Sequence, residues 1–155
     1  MSIELKKIAH VIDEQHAAEE KMLRECKEGK FGIDAPYVKL NPYIIAPLTA
    51  LVYFTTPEET EASILVKGKE KAGDMSFSFP KAKDHYLPVY GLYEGYDNQV
   101  EITLGNGAKK SLTIKTDKAP ESVHMPSKIE TTPEYLAGNV VFVSPTSPGN
   151  TAAYD

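Results

Sequence analysis

The apolar positions at the start of the chain recur every three or four residues. Residues 3–28 contain no proline or glycine, and this spacing predicts an amphipathic helix with Ser2 as its N-cap and an end near Gly29. At about 1.5 Å per residue, the helix would be longer than a small sandwich domain is wide. Its apolar stripe therefore either packs on its own domain or pairs with a partner chain, as in a coiled coil. The stripe comprises Leu5, Ile8, Ile12, Ala18, Met22 and Cys26.

From Tyr37 onward the period changes to two, which is typical of short strands with one buried face. Gly105-Asn106-Gly107 separates two such runs and predicts a hairpin. About seven short strands at this spacing indicate a mainly β fold, an immunoglobulin- or fibronectin-like sandwich preceded by the long N-terminal helix. The alternating runs are 48–55, 63–67, 74–79, 100–104 and 111–115, with a further apolar run at 85–90. The predicted core is Val52, Phe54, Val100, Ile102, Leu104 and Ile114.

The most apolar stretch, residues 40–56, contains Pro42 and Pro47. Proline interrupts a helix and removes a ladder hydrogen bond from a central strand. The segment is therefore predicted to bend or to lie at the edge of a sheet.

The chain divides into four predicted regions. Residues 1–29 form the helix and 36–117 the β-sandwich, while 118–135 are rich in proline and lack apolar periodicity, which is typical of a linker. Residues 136–155 contain one further strand followed by turn residues. We expect this last region to be the first piece of something larger.

Composition narrows the classes of function. The 155 residues carry a net charge of −5, which argues against a nucleic-acid partner. The single cysteine, Cys26, excludes an internal disulfide. No apolar run reaches the length of a membrane span, and no signal peptide is visible at the N-terminus.

The four histidines do not form a recognisable catalytic or metal-binding pattern. His10 and His16 lie six residues apart, whereas two ligands on one helix face need a spacing of three or four. His85 is placed at the start of a strand and His124 in the linker. We expect all four to be surface or partner-free histidines, so that the chain contains no catalytic, cofactor-binding or metal-binding residue.

Three other candidates have structural interpretations that outweigh the functional ones. Cys26 lies among charged residues without a Cys-His signature, which favours a packing residue over a nucleophile. The tyrosines at 86, 90, 93 and 96 either form an aromatic or sugar-binding platform or, as is more usual in a sandwich, half-buried strand positions. The glycine pair at 105 and 107 precedes a strand and not a helix, so it is a turn and not a phosphate loop.

Two stretches resemble the N-terminal domain of bacterial aryl-sulfate sulfotransferases. They are VKLNPYIIAPLTALVYF at 38–54 and LPVYGLYEGYDNQVEITL at 87–104. The ending VVFVSPTSPGNTAAYD at 140–155 is similar to the point where that family's chain enters a catalytic β-propeller. The resemblance covers about residues 37–155, and the helix lies outside it.

The resemblance implies transfer of a sulfuryl group from a phenolic sulfate ester to a phenol, without a nucleotide cofactor, by residues of the propeller. This chain is then a non-catalytic scaffold and dimerisation domain, inactive alone. Its implied partners are the C-terminal propeller of the same polypeptide and a second copy, with the phenolic sulfate bound only through the propeller. Members of the family are typically exported to the periplasm or cell envelope.

Asn98 occupies the place where fibronectin-type domains have a corner tyrosine, after Gly91-Leu92 and Gly95. Its amide could bond to the backbone, and the departure favours the sulfotransferase family over a generic fibronectin domain. The alternative function is a stand-alone sandwich that binds carbohydrate or a protein partner through the tyrosine-bearing strands.

Overall fold

The structure is a computed structural model that describes the backbone of residues 2–118, 141–143 and 152–154, and the side chains of residues 10–118. The chain forms two compact units, Met1–Lys118 and Ala119–Asp155. In the second unit, β6 (Val141–Val143) and β7 (Ala152–Tyr154) pair antiparallel. The predicted linker lies outside the described residues apart from Lys118, and the predicted division into domains stays a prediction.

The first unit is an antiparallel sheet that follows one long helix. Its elements are α1 (Ser2–Glu28), β1 (Tyr37–Leu40), β2 (Ala50–Val66), a 3-10 turn (Lys71–Gly73), β3 (Met75–Val89), β4 (Asp97–Leu104) and β5 (Lys109–Lys115). β2 pairs with β3 along one edge and with both β1 and β4 along the other, and β4 also pairs with β5. The prediction of a mainly β domain after an N-terminal helix is confirmed.

The strands β2 and β3 form one long bent hairpin, where the sequence predicted separate short strands. β1 pairs with the first part of β2, up to Tyr53, and β4 pairs with the last part, from Ala62. Pro57 and Pro80 do not end the strands, because both lie where the β2–β3 register shifts, between Thr55 and Ala62 of β2. A register shift bends the strands and leaves some backbone N–H groups without a partner in the ladder. Proline, which has no N–H, is therefore tolerated there.

The bend curls the sheet around a single apolar core. Both parts of β2 contribute side chains to it, including Val52, Phe54 and Ile64, none of which is more than 1% exposed. The six predicted core residues are confirmed, since Val52, Phe54, Val100, Ile102, Leu104 and Ile114 all belong to this buried cluster.

The last turns of α1 cover the outer face of β2. Met22 and Cys26 pack with Tyr53 in a second cluster that Phe31 and Leu51 complete. Gly29 ends the helix without a left-handed backbone, and a side chain there would collide with the Phe31 ring. The helix therefore packs on its own domain through its C-terminal half.

The preceding turns of α1 lack such a cover. Val11 and Ile12 are 41% and 45% exposed, although Ile12 lies on the same predicted stripe as the buried Met22. The side chain of Ile8 lies outside the described residues, as does that of Ser2, whose backbone is already helical. Pairing of this half of the helix with a partner chain stays a prediction.

Candidate functional site

The three histidines that the structure describes do not converge. His10 is exposed on α1, with its Nδ1 3.0 Å from the Oε1 of Glu14, and His16 is exposed on the same helix. His124 lies outside the described residues. The expectation of a surface or partner-free histidine is wrong for His85, which is 2% exposed.

His85 is a core residue of β3. Its ring stacks on Phe54 with centroids 4.7 Å apart, and its Nε2 lies 3.1 Å from the Thr56 hydroxyl oxygen. After the bend, β3 continues as a regular strand whose side chains point alternately inward and outward. Asp84 and Tyr86 are exposed, so His85 between them faces inward. Burial lowers its pKa, with Asp84 acting weakly in the opposite direction, so the neutral ring is favoured. The ring therefore supports packing and is closed to a substrate.

Cys26 has the packing role that the sequence predicted. Its side chain is 1% exposed and packs with Met22 and Tyr53 beneath the helix. Burial, assisted by the neighbouring Glu25, raises the pKa of the thiol. A nucleophilic cysteine requires the opposite shift together with access.

The four candidate tyrosines are divided among three places. Tyr86 contacts Tyr53 with ring centroids 4.6 Å apart, and Tyr90 contacts Phe77 at 6.2 Å. Tyr93 and Tyr96 contact one another at 6.0 Å, and the Nζ of Lys69 lies 4.8 Å above the Tyr93 ring. In the described part of the chain, no ring contact joins these three groups. The geometry therefore does not assemble a single aromatic platform.

Asn98 secures the loop that precedes β4, as the sequence suggested. Its side chain is fully buried, and its Oδ1 accepts a hydrogen bond of 2.7 Å from the backbone N–H of Tyr93. Its Nδ2 lies 3.0 Å from the carbonyl oxygen of Tyr93 and 3.2 Å from that of Ile114. The amide of Asn98 thus connects β4, on which it lies, to the preceding loop and to β5. Other sandwiches use a tyrosine hydroxyl for this purpose at the same position.

Two phenol–carboxylate hydrogen bonds flank the contact between helix and sheet. The Tyr37 hydroxyl donates to Glu25 of α1 at 2.6 Å, and the Tyr53 hydroxyl donates to Asp84 at 3.0 Å. Burial and the adjacent carboxylates raise the pKa of both tyrosines, and the bond from Tyr37 lowers the pKa of Glu25. These two pairs were not predicted. Each joins residues that are far apart in the chain, and no periodicity in the sequence indicates which residue of α1 faces β1 or which residue of β3 faces Tyr53.

An open groove of about 420 Å³ lies beside the bend of the long hairpin. Ser63, Ser78 and Thr103 provide its hydroxyl groups and Phe79 its aromatic wall. The Ser63 hydroxyl is already within 3.4 Å of the Thr103 carbonyl oxygen. Glu61 is the ionisable residue of its lining, and no histidine or lysine lines the groove beside it. The lining therefore does not provide the separate nucleophile, base and acid that a catalytic site combines.

The connection between β1 and β2, residues 41–49, is an irregular but well-braced loop. The Asn41 backbone N–H donates to the carbonyl of Thr49 at 2.8 Å, and the Asn41 Oδ1 accepts from the N–H of Ala46 at 2.9 Å. The Thr49 hydroxyl also donates to the Ala46 carbonyl at 2.8 Å. Pro42 and Pro47 both lie in this loop and outside the strands, so neither interrupts a ladder. The apolar stretch bends here, as predicted.

The tip of this loop is apolar and exposed. Tyr43 is 43% exposed, Ile44 47% and Ile45 61%, while the Tyr43 hydroxyl lies 3.3 Å from the Oε1 of Glu19 on α1. None of these three side chains belongs to the buried clusters of the domain. The tip can offer apolar contact area to another surface.

Two general features of the described residues bear on partners. No described helix has both the length and the apolar character needed to cross a membrane. Within the same residues, no three His, Cys, Asp or Glu side chains gather in a metal-binding arrangement.

The curled antiparallel sheet around a buried apolar core fits an immunoglobulin-like β domain. The chain belongs to the arylsulfotransferase family, since residues 37–119 match the model of the arylsulfotransferase Ig-like domain. It is also similar to the arylsulfate sulfotransferase AssT of Lelliottia amnigena, with 33% identity over 95 residues. No solved structure shows significant similarity to the chain.

The two matches have a limited extent. The alignment with the Lelliottia protein covers 57% of this chain but only 15% of that relative. The family match includes the loop 41–49 and excludes α1. The predicted resemblance to the N-terminal domain of aryl-sulfate sulfotransferases is confirmed for residues 37–119, while the resemblance of 140–155 to the start of the propeller stays a prediction.

Proposed function

We propose that this chain is the non-catalytic N-terminal scaffold of an aryl-sulfate sulfotransferase. In the complete enzyme, a following β-propeller transfers a sulfuryl group from a phenolic sulfate ester to a phenol, without a nucleotide cofactor. The observation that carries the proposal is that the match is to the Ig-like domain of the family and spans 15% of a relative named for this activity.

The placement of the polar groups supports a scaffold. Sulfuryl transfer needs a group that accepts or stabilises the sulfuryl group and an acid that protonates the phenolate, both directed at one point. His85 is enclosed in the core, whereas His10 and His16 are exposed on α1. Among the described side chains, the hydrogen-bonded polar groups instead hold strands, loop and helix together.

Homodimer formation belongs to the same proposal. The half of α1 that does not cover the sheet exposes Val11 and Ile12. Pairing this half with that of a second copy would remove both side chains from water, which is favourable. The substitution Ile12→Lys should then lower the mass measured by light scattering, whereas Ala17→Lys, at an exposed position of the same helix, should leave it unchanged. A mass that is the same in all three proteins would contradict the helix contact.

The activity test compares the 155-residue chain with the same chain continued through a propeller. With 4-nitrophenyl sulfate as donor and phenol as acceptor, the longer polypeptide should release 4-nitrophenolate. The 155-residue chain should show no release above a buffer blank. Turnover by the 155-residue chain, abolished by His124→Ala in a variant with an unchanged melting temperature, would refute the proposal.

A further inference from the structure

The loop 41–49 contains a backbone conformation that does not suit its residue. Ile44 has a φ of 62°, in the left-handed region, where a β-branched side chain is a genuine outlier. The other left-handed residue of the loop, Asn41 with a φ of 49°, is of a type that tolerates this region. Strain of this kind persists only where the surrounding structure imposes it, and it clusters at functional positions.

The strained residue is also at the exposed apolar tip. Tyr43, Ile44 and Ile45 are consecutive, each more than 40% exposed, and Leu48 adds a fourth apolar side chain that is 38% exposed. Isolated exposed apolar residues are ordinary, but a contiguous group of them marks an interaction site. Strain and exposure are separate observations, and they coincide in one loop.

The loop is preorganised to make a contact. The hydrogen bonds from Asn41 and Thr49 fix its backbone, and Pro42 is buried beneath it. Binding then requires little ordering of the loop, which removes one of the main costs of association. The tip is consequently a rigid apolar projection suited to an apolar recess.

The exposed area of the tip indicates whether its partner is a separate chain or a domain of the same polypeptide. Its four side chains expose on the order of 400 Å² together, about half of the 800 Å² per partner that a stable complex of separate chains buries. A tethered domain needs less, because the linker supplies a high effective concentration. The loop also lies within the family match, whereas the exposed half of α1 does not. Both points favour a contact with a region that members of the family share.

We propose that the tip formed by Tyr43, Ile44, Ile45 and Leu48 docks into an apolar recess on the catalytic part of the same polypeptide. This inference rests on the proposed function, since it requires that catalytic part. It assigns the contact between the two parts to this loop and not to the helix.

Cysteine labelling measures the docking directly. The variant Ile45→Cys places a thiol at the most exposed position of the tip, and the natural Cys26 is 1% exposed and gives little background. A maleimide should modify Ile45→Cys rapidly in the 155-residue chain and at least tenfold more slowly in the longer polypeptide. Leu48→Cys should behave in the same way. Asn106→Cys, in the exposed turn between β4 and β5, is the matched control and should react equally fast in both proteins.

The outcomes separate this proposal from the proposed function. Equal labelling of Ile45→Cys and Leu48→Cys in both proteins, with the longer polypeptide active on 4-nitrophenyl sulfate, would overturn the docking contact alone. Protection in the 155-residue chain that increases with its concentration would assign the tip to a second copy and would also overturn it. A longer polypeptide without sulfuryl transfer would refute the proposed function, and the docking proposal with it.

Discussion

Two of the connections between neighbouring antiparallel strands of the domain are built in opposite ways. The turn from β4 to β5 has Gly107 at a φ of 86° and an Asn106 side chain that accepts from the N–H of Ala108 at 3.0 Å. The loop from β1 to β2 has Ile44 at a φ of 62° and an apolar tip. The turn uses the residue types that its backbone favours, and the loop does not.

This difference separates two demands on the sequence. The turn needs only to reverse the chain, so glycine and asparagine satisfy it fully. For the loop, a glycine at 44 and polar side chains at the tip would satisfy folding and solubility better than the residues present. The docking proposal accounts for this choice of residues by a contact outside the described domain.

The largest expected effect compares an apolar residue of the core with one of the tip. Ile102→Asp places an unpaired charge in the core, and its free energy of unfolding should fall by several kcal/mol, on the order of 4. Ile45→Asp places the same charge at a position that is 61% exposed and should cost about 1 kcal/mol or less. Urea unfolding of both variants measures the difference. Similar losses at the two positions would show that the tip is part of the core.

The next largest expected effect is the difference in stability loss between substitutions at two asparagines, Asn98 and Asn106, whose side chains both form hydrogen bonds with the backbone. Asn98→Leu keeps the size of the side chain but removes the acceptor of the Tyr93 N–H and the amide that donates to the Ile114 carbonyl, so we expect a loss of about 2 kcal/mol. Asn106→Ser, in the exposed turn, should cost about 0.5 kcal/mol. Thermal unfolding of the two variants tests this order. Equal melting temperatures would mean that Asn98 does not secure the loop before β4.

Acidification should affect the core more than the tip. Burial holds the pKa of His85 below its ordinary value of 6.5, so the unfolded chain binds more protons there than the folded chain as the pH falls below 6.5. Stability should then be greatest above that pH and should decline toward the lowered pKa. The loop contains no ionisable side chain except Tyr43. The melting temperature, followed from pH 7.5 to 5.5, should fall less for His85→Gln than for the natural chain, and an identical decline in both would exclude His85 as the cause.

The parts of the fold that depend on local period could be predicted from the sequence. Val100, Ile102 and Leu104 alternate with polar residues, and the glycines that follow β4 mark the turn, so strand, core face and hairpin were predicted correctly. The long helix was equally clear. These features need only neighbouring residues to specify them.

The parts that depend on distant contacts could not be predicted in this way. The long hairpin of β2 and β3 was predicted as separate short strands, because the sequence does not show that Pro57 lies at a register shift opposite β3. His85 was predicted to be a surface or partner-free residue, because its inward position depends on the course of β3 after the bend. From the sequence, residues 41–49 could be recognised only as part of an apolar segment with prolines. That the tip of this loop is exposed depends on how the rest of the domain packs, which the sequence pattern does not show.

The central claim is that the loop 41–49 is strained for a purpose other than folding, and paired substitutions at two neighbouring positions test it most directly. At a left-handed residue, glycine is more favourable than alanine, whereas elsewhere alanine is more favourable. The free energy of unfolding of Ile44→Gly should exceed that of Ile44→Ala by about 1 kcal/mol, and at Ile45 the order should reverse. Comparing glycine with alanine at the same position largely removes the contribution of the lost isoleucine side chain. An Ile44→Ala chain as stable as Ile44→Gly would show that the loop is unstrained and would contradict the account.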